Sequence, residues 1–314
     1  MYKKILIIGG AGYIGTELSN YLVKIKYKVS CVDTFWFDTK LDKKVKKIKL
    51  DVRNFNFSIF ENYDVVINLA YLSNDPLCEI NARDTWESGP LATYYMMEAC
   101  IKYKVKKFIF ASSGSIYGLK KEKKVTEELG LDPITDYNKS KMICEKVIEN
   151  YKNRIKIVIL RPATVCGSSS RLRLDVVLNL FCYQAFYEGK IKILGGKQIR
   201  PLLHIKDMVN CYEFFIKNNY TGTYNVGFEN LSVGYLAKKV SKYIPSKIIT
   251  KKSNDPRSYR MNSDKLKKIG FKNQFNHIHA ILDLKSKFEL GFTPSDQNWN
   301  LRWLLKKKII KNDK

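Results

Sequence analysis

Residues 3–15 read KKILIIGGAGYIG, and the fold follows from how this stretch is parsed. Ile5, Leu6, Ile7 and Ile8 form an unbroken aliphatic run. It ends at Gly9 and continues through Gly12 and Gly15 with G-x-x-G-x-x-G spacing. The next segment, TELSNYLVKIKY, places its apolar residues at helical intervals. A continuous apolar run bounded by glycine reads as a strand covered on both faces, and the change to a period of 3.6 reads as a helix. A tight turn between the two needs a residue free to adopt positive φ, no Cβ at the closest backbone approach, and helix N–H groups facing outward. That combination is the diphosphate cradle of a dinucleotide-binding unit.

Working outward, the same alternation continues. KVSCVDT, DVVINLA, KKFIFASS and KIVILRPATV are short apolar runs, separated by LATYYMMEACIKYK and KSKMICEKVIENYK, which have helical spacing. A third short strand precedes LDVRN, and TYNVG adds another later in the chain. Short apolar runs alternating with helices indicate a parallel sheet covered on both sides. The fold expected is α/β: a Rossmann-type doubly wound parallel sheet with a smaller C-terminal α/β domain. LDVVLNLFCYQAFYEGK reads as helix and IKILGG as strand in the looser second half.

The chain has 314 residues, 45% of them hydrophobic, which is enough for a sizeable core. Seven cysteines are scattered with no CxxC pair, so neither a disulfide framework nor a structural zinc site is expected, and no metal. No apolar run reaches membrane-spanning length, and the N-terminal run is too short for a signal sequence, so a cytoplasmic location is expected. The net charge of +26 comes from short lysine runs spread along the chain. It is read as a dispersed basic surface without a nucleic-acid or membrane partner, and no nucleic-acid-binding signature accompanies it. The tail LRWLLKKKIIKNDK reads as a packed or frayed helix.

Asp33 ends the second strand about 20 residues beyond the glycines, where a carboxylate accepts hydrogen bonds from ribose hydroxyls and repels a 2′-phosphate. The cofactor expected is therefore NAD. Its diphosphate falls on Gly9, Gly12, Tyr13, Ile14 and Gly15, its adenine on Asp51 and Val52, and its remaining backbone on Leu69 and Ala70, with Pro162 also beside it.

Tyr137 and Lys141 form Y-x-x-x-K, and on a helix residues i and i+4 share a face. A cation about 4 Å from a phenol at an effective dielectric of about 20 is worth roughly 4 kcal/mol, or about three pKa units. With the positive nicotinamide added, Tyr137 is expected near neutrality, able to take a hydroxyl proton as hydride leaves. Ser113 would hydrogen-bond the same substrate oxygen.

GGAGYIG, Asp33, DVRN, NLA, SSGSIYG, YNKSK, LRPATVCG and RPLLHIKD together resemble the extended short-chain dehydrogenases/reductases that act on nucleotide sugars, over essentially the whole chain. The resemblance implies Ser113, Tyr137 and Lys141 as catalytic triad, and an NAD-binding part of residues 1–166 and 203–230. It implies a nucleotide-sugar-binding part of residues 167–202 and 231–314. Arg200 resembles the arginine that meets the substrate diphosphate, with Arg171, Arg173 and Arg257 as further candidates and Ser73 and Thr164 as further substrate contacts. A homodimer through the MMEAC-type and Y-x-x-x-K helices is also implied. The chain departs from the family pattern at Ile8, usually Thr, and at Ser88–Gly89, where an asparagine is common. It departs again at Thr164, where many 4-epimerases have asparagine.

Family chemistry begins by removing hydride from C4 of the sugar. Dehydratases of the family then use Asp-Glu directly after the catalytic Ser or Thr, and epimerase-reductases use a cysteine at the second position. Gly114 and Ser115 stand there instead, and neither exchanges a carbon-bound proton near neutral pH. Only a base from elsewhere, such as Cys166, would supply that chemistry. The leading expectation is a 4-dehydrogenase of surface-polysaccharide synthesis, such as one acting on GDP-heptose. A nucleotide-sugar 4-epimerase is the alternative. A dinucleotide- or RNA-binding protein without turnover is the reading of another class.

Overall fold

The computed structural model describes residues 2–73, 75–252 and 258–309. Its centre is a seven-stranded parallel sheet. The strands are β1 (Lys4–Ile8), β2 (Lys28–Asp33), β3 (Lys46–Lys49), β4 (Val65–Asn68), β5 (Lys107–Ala111), β6 (Lys156–Pro162) and, after an excursion through β7 (Thr164–Cys166), β8 (Lys190–Leu194) and β9 (Ile199–His204), β10 (Gly222–Val226). Their order is β10-β6-β5-β4-β1-β2-β3. The order reverses between β1 and β4, and in such sheets the crevice at the strand carboxyl ends at that point takes the ligand.

Helix α1 (Tyr13–Lys24) covers one face of this sheet. The helices α2 (Asp75–Ile80), α3 (Ala82–Trp86), α4 (Ala92–Lys102) and α5 (Asp136–Glu149) follow β4 and β5. Side chains alternate along β1: Ile5 and Ile7 join the core on the α1 side, whereas Leu6 and Ile8 join the core containing Met96, Met97 and Cys144 of α4 and α5. That double covering is why β1 is aliphatic at every position from Ile5 onward.

The later chain adds α6 (Val177–Glu188), α7 (Ile205–Lys217), α8 (Val233–Tyr243), α9 (Asp264–Lys268), α10 (His277–Glu289) and α11 (Asn300–Lys306). Strands β11 (Glu229–Ser232), β9 and β7 form a three-stranded sheet, and β12 (Lys247–Lys251) pairs parallel with β8. Helix α6 starts at Val177, three residues later than its apolar run suggests. Asp175 is held by Arg173 (Nε–Oδ1 2.8 Å) and accepts from the Asn300 amide (3.1 Å), which keeps residues 174–176 out of the helix. The tail helix α11 packs Leu304 against Leu72, Leu77 and Cys78, beside the crevice. No helix among the described residues is long and apolar enough to cross a membrane.

Candidate active site

A cleft of about 480 Å³ opens at the carboxyl ends of the strands, and the predicted motifs converge on it. Its cofactor end is made mainly of backbone. Gly9 has φ +78°, and a Cβ there would lie 2.5 Å from the Ala70 nitrogen and 2.7 Å from the Leu69 carbonyl carbon. Gly15 allows α1 to pass against the Gly9 carbonyl at a distance that no side chain permits. The helix has Gly12 as N-cap, no side-chain cap and no acidic residue in its first turn, so its leading N–H groups are left for an anion.

Asp33 accepts from the Ala11 amide (2.9 Å) and the Phe35 amide (3.0 Å), which leaves carboxylate lone pairs for a diol. Burial raises its pKa, and the backbone hydrogen bonds oppose that rise. Asp51 caps the short turn that contains Val52 and is bound by Arg53. Leu69, Ala70, Ile14 and Pro162 line the same end. Tyr13 lines it too, but its hydroxyl donates to the Gly167 carbonyl (2.7 Å), so the side chain is spent on tying α1 to the turn after β7. These residues fit a dinucleotide. The cradle would be filled by any Cβ, and the Arg171 Nη1 beside it is buried without a hydrogen-bond partner among the described residues. NAD held there would supply the hydride acceptor and a positive charge.

The predicted triad lies where strands β5 and β6 end. Ser113 caps the turn Gly114–Tyr117 and accepts from the Ser115 amide (3.2 Å). It also hydrogen-bonds Tyr137. Helix α5 is N-capped by Thr135, whose hydroxyl accepts from the Asn138 amide and donates to Asp75 (2.6 Å). The helix is pinned to β6 by a bidentate pair of Glu145 and Arg161, at 2.7 and 3.0 Å, with both side chains buried. Arg161 also donates to Tyr117 (2.8 Å).

One expectation is corrected here. The chain by itself raises the Tyr137 phenol pKa, because burial outweighs the hydrogen bond from Ser113 and the charge of Arg173. The Lys141 ammonium points to the Ala111 carbonyl (2.6 Å) and the Tyr71 ring, and burial lowers its pKa to about 8. The i,i+4 spacing puts the two residues on one face but does not aim the ammonium at the phenol oxygen. The chain alone therefore does not bring the phenol down to where a base is needed, and a further positive charge, of the kind an oxidised nicotinamide would supply, would be required.

The positions after Ser113 carry no acid. A Cβ on Gly114 would run into the methyl of Met261, and it would lie 3.2 Å from both the Pro162 carbonyl and the Tyr259 hydroxyl. The Ser115 hydroxyl is engaged by Ser113 (2.7 Å) and by Asn138. Cys166 is buried outside the cleft, its thiol pointing to the Leu203 carbonyl (3.5 Å), and burial pushes its pKa far up, so it is no base.

The substrate end gathers side chains from separate elements. Thr164, Ser73 and Arg200 line it. Arg173 also lines it, but its guanidinium is paired with Asp175 and donates to Ser73 (3.2 Å), which leaves less of it for a ligand. Arg171 is buried, stacked 3.8 Å from the Phe37 ring centroid and bonded to Asn300 (2.5 Å); burial lowers its pKa to about 9. Arg257 lies outside the described residues. Tyr71, Asp75, Tyr259 and Asn300 line the cleft without having been singled out from sequence, as does Arg53, which bridges Asp51 and Asp84 (2.5 Å). Arg53 lies in DVRN, Tyr71 and Asp75 in LAYLSNDP, and Tyr259 in DPRSYR, but nothing in those stretches singled these side chains out. No cluster of metal-ligating side chains occurs among the described residues.

Comparison with known proteins agrees with this geometry. The model of the NAD dependent epimerase/dehydratase family matches residues 5–227. The chain is 32% identical over 231 residues to an uncharacterised UDP-glucose epimerase of Bacillus subtilis (strain 168), covering 66% of this chain and 70% of that one. It is 26% identical over 313 residues to a UDP-glucose 4-epimerase of Lactobacillus helveticus, covering 89% and 94%. The crystal structure of a Thermus thermophilus UDP-glucose 4-epimerase with NAD superposes with a TM-score of 0.84 at 20% identity, over 92% of this chain and all of that one. The chain belongs to the NAD-dependent epimerase/dehydratase family of nucleotide-sugar-modifying enzymes.

Proposed function

We propose that the enzyme inverts C4 of a nucleotide-activated hexose of the UDP-glucose kind, by removing and returning one hydride. Tyr137 takes the C4 hydroxyl proton, Ser113 holds the C4 oxygen, and Lys141 fixes the dinucleotide beside them. Arg200 meets the substrate diphosphate, where a planar guanidinium fork suits phosphate oxygens.

One observation carries this reading: the space next to the triad that an acid–base side chain would need is filled by Met261 against Gly114. Loss of water or inversion at C3 or C5 needs a proton exchanger there. Hydride transfer at C4 does not. The names of the relatives above favour the redox-neutral outcome over net oxidation. The 4-dehydrogenase expected from sequence, with GDP-heptose as its substrate, has no such support and stands second. A homodimer through α4 and α5 is part of the proposal, since Tyr94 and Tyr95 stand exposed on α4.

The test is incubation with UDP-glucose, UDP-galactose and GDP-sugars in deuterated water, following NADH absorbance and product mass. A C4 epimer at unchanged mass with no net NADH is expected. Accumulating NADH supports the dehydrogenase, and loss of one water from the product sinks both.

A further inference from the structure

Gly89 lacks the side chain common at its position, and the structure shows what fills the gap. A Cβ on Gly89 would strike the Tyr71 hydroxyl and lie 2.9 Å from the ring carbon that bears it. Tyr71 follows β4, where the Asn68 side chain accepts from the Ala70 amide (3.1 Å) and turns the chain toward α5. Its hydroxyl donates to the Ser140 hydroxyl (2.5 Å), which in turn donates to the Tyr137 carbonyl (2.9 Å). Its ring meets Tyr137 at 82° with centroids 5.6 Å apart. The Lys141 ammonium sits 3.7 Å from the Tyr71 ring centroid. Gly89 itself lies in a five-residue π-helical segment, Glu87–Leu91, and such bulges recur at functional sites.

We propose that Tyr71 is a positioning residue for the catalytic pair: its ring face holds the Lys141 ammonium charged inside a dry pocket, its edge contacts fix Tyr137, and Gly89 leaves the room that admits it.

The physical need is plain. Lys141 is 3% exposed, and no carboxylate lies within ion-pair distance of it among the described residues. Its neighbours are Tyr137, Cys144 and Glu145 on its own helix, Cys78 from α2, the Ala111 carbonyl and Phe110 ring from β5, and Tyr71. Cys78 and Cys144 are buried thiols, and Glu145 is committed to Arg161. That leaves one carbonyl and two aromatic faces to offset the loss of water. A desolvated ammonium over a ring face is the strong form of the cation–π interaction. The Phe110 ring is farther, at 4.8 Å, so Tyr71 carries most of it.

The sign follows. Tyr71→Leu keeps an apolar filling but removes the ring face, so the Lys141 pKa falls further below about 8. A smaller share of Lys141 is then charged at neutral pH, and the cation one turn along α5 from Tyr137 is weakened with it. Tyr71→Phe keeps the face and loses only the Ser140 bond. Gly89→Ala displaces the ring without deleting it.

The first measurement is a pH titration of ¹³C-lysine-labelled protein without substrate. It is independent of which reaction the enzyme performs. Tyr71→Leu and Gly89→Ala should lower the Lys141 titration by about one unit or more, while Tyr71→Phe stays near the parent. The kinetic arm rests on the hydride-transfer reading: kcat at neutral pH should fall about tenfold in the first two variants. If Tyr71→Leu fails to fold, Gly89→Ala carries the test. An unmoved Lys141 titration overturns the proposal. So does a Tyr71→Phe variant that moves it as far as Tyr71→Leu. Failure of the kinetic arm alone would instead count against the hydride-transfer reading.

Discussion

The two ends of the cleft are built differently. The cofactor end is mainly backbone: strand ends, a glycine turn and one uncapped helix, nearly all within the first 70 residues, with Pro162 added from the end of β6. The end proposed for the sugar is side chains: Ser73, Thr164, Arg200, Tyr259 and Asn300, which line the cleft, arrive from five separate segments. Backbone geometry is specified locally by which residues can sit there, whereas a convergence of side chains is specified only by the finished fold. The first kind of site binds a ligand common to many enzymes, and the second can be altered residue by residue to take a new sugar.

Substitutions can break or sharpen that contrast, and the largest effect belongs where the two ends meet. Tyr137→Phe should lower kcat by about 10²–10⁴-fold, the usual worth of a positioned acid–base group, with NAD binding retained by isothermal titration. Glu145→Ala leaves Arg161 buried without its bidentate partner, so unfolding stability should fall by about 3–5 kcal/mol in urea melts, and α5 loses its tether to β6. Gly9→Ala tests the backbone end. A side chain at φ +78° costs about 1–3 kcal/mol, and its clash with Ala70 should abolish NAD binding even where the protein still folds. Arg200→Gln tests the side-chain end and should be milder, raising KM for the nucleotide sugar about tenfold while the Kd for NAD stays put. Should it weaken NAD binding instead, the division between the two ends would be wrong.

The same contrast explains what could be read from sequence. GGAGYIG and Asp33 sit where expected because glycine spacing and strand order are local properties. The Y-x-x-x-K pair falls on one helix, as its spacing requires, yet the direction of the Lys141 ammonium depends on Tyr71, 70 residues earlier. Gly89 could be seen to lack a side chain, but not that Tyr71 occupies the space. Asp75 and Tyr259 stood inside LAYLSNDP and DPRSYR, but spacing there gives no sign that their side chains reach the cleft. The start of α6 was misplaced because Asp175 is drawn off by Arg173 and Asn300, the latter 125 residues away. Strands β11 and β12 are only partly buried along their length, so they lack the apolar run that marks β1 and β4.

Hydride-only chemistry at C4 is tested most directly with UDP-glucose carrying deuterium at C4, incubated in ordinary water and read by ²H NMR of the product sugar. The label should appear at C4 of the epimer, at full occupancy and with no hydrogen exchanged at C3 or C5. Label washed into solvent, label accumulating in free NADD, or solvent hydrogen at C5 would each contradict a single hydride leaving and returning to the same carbon.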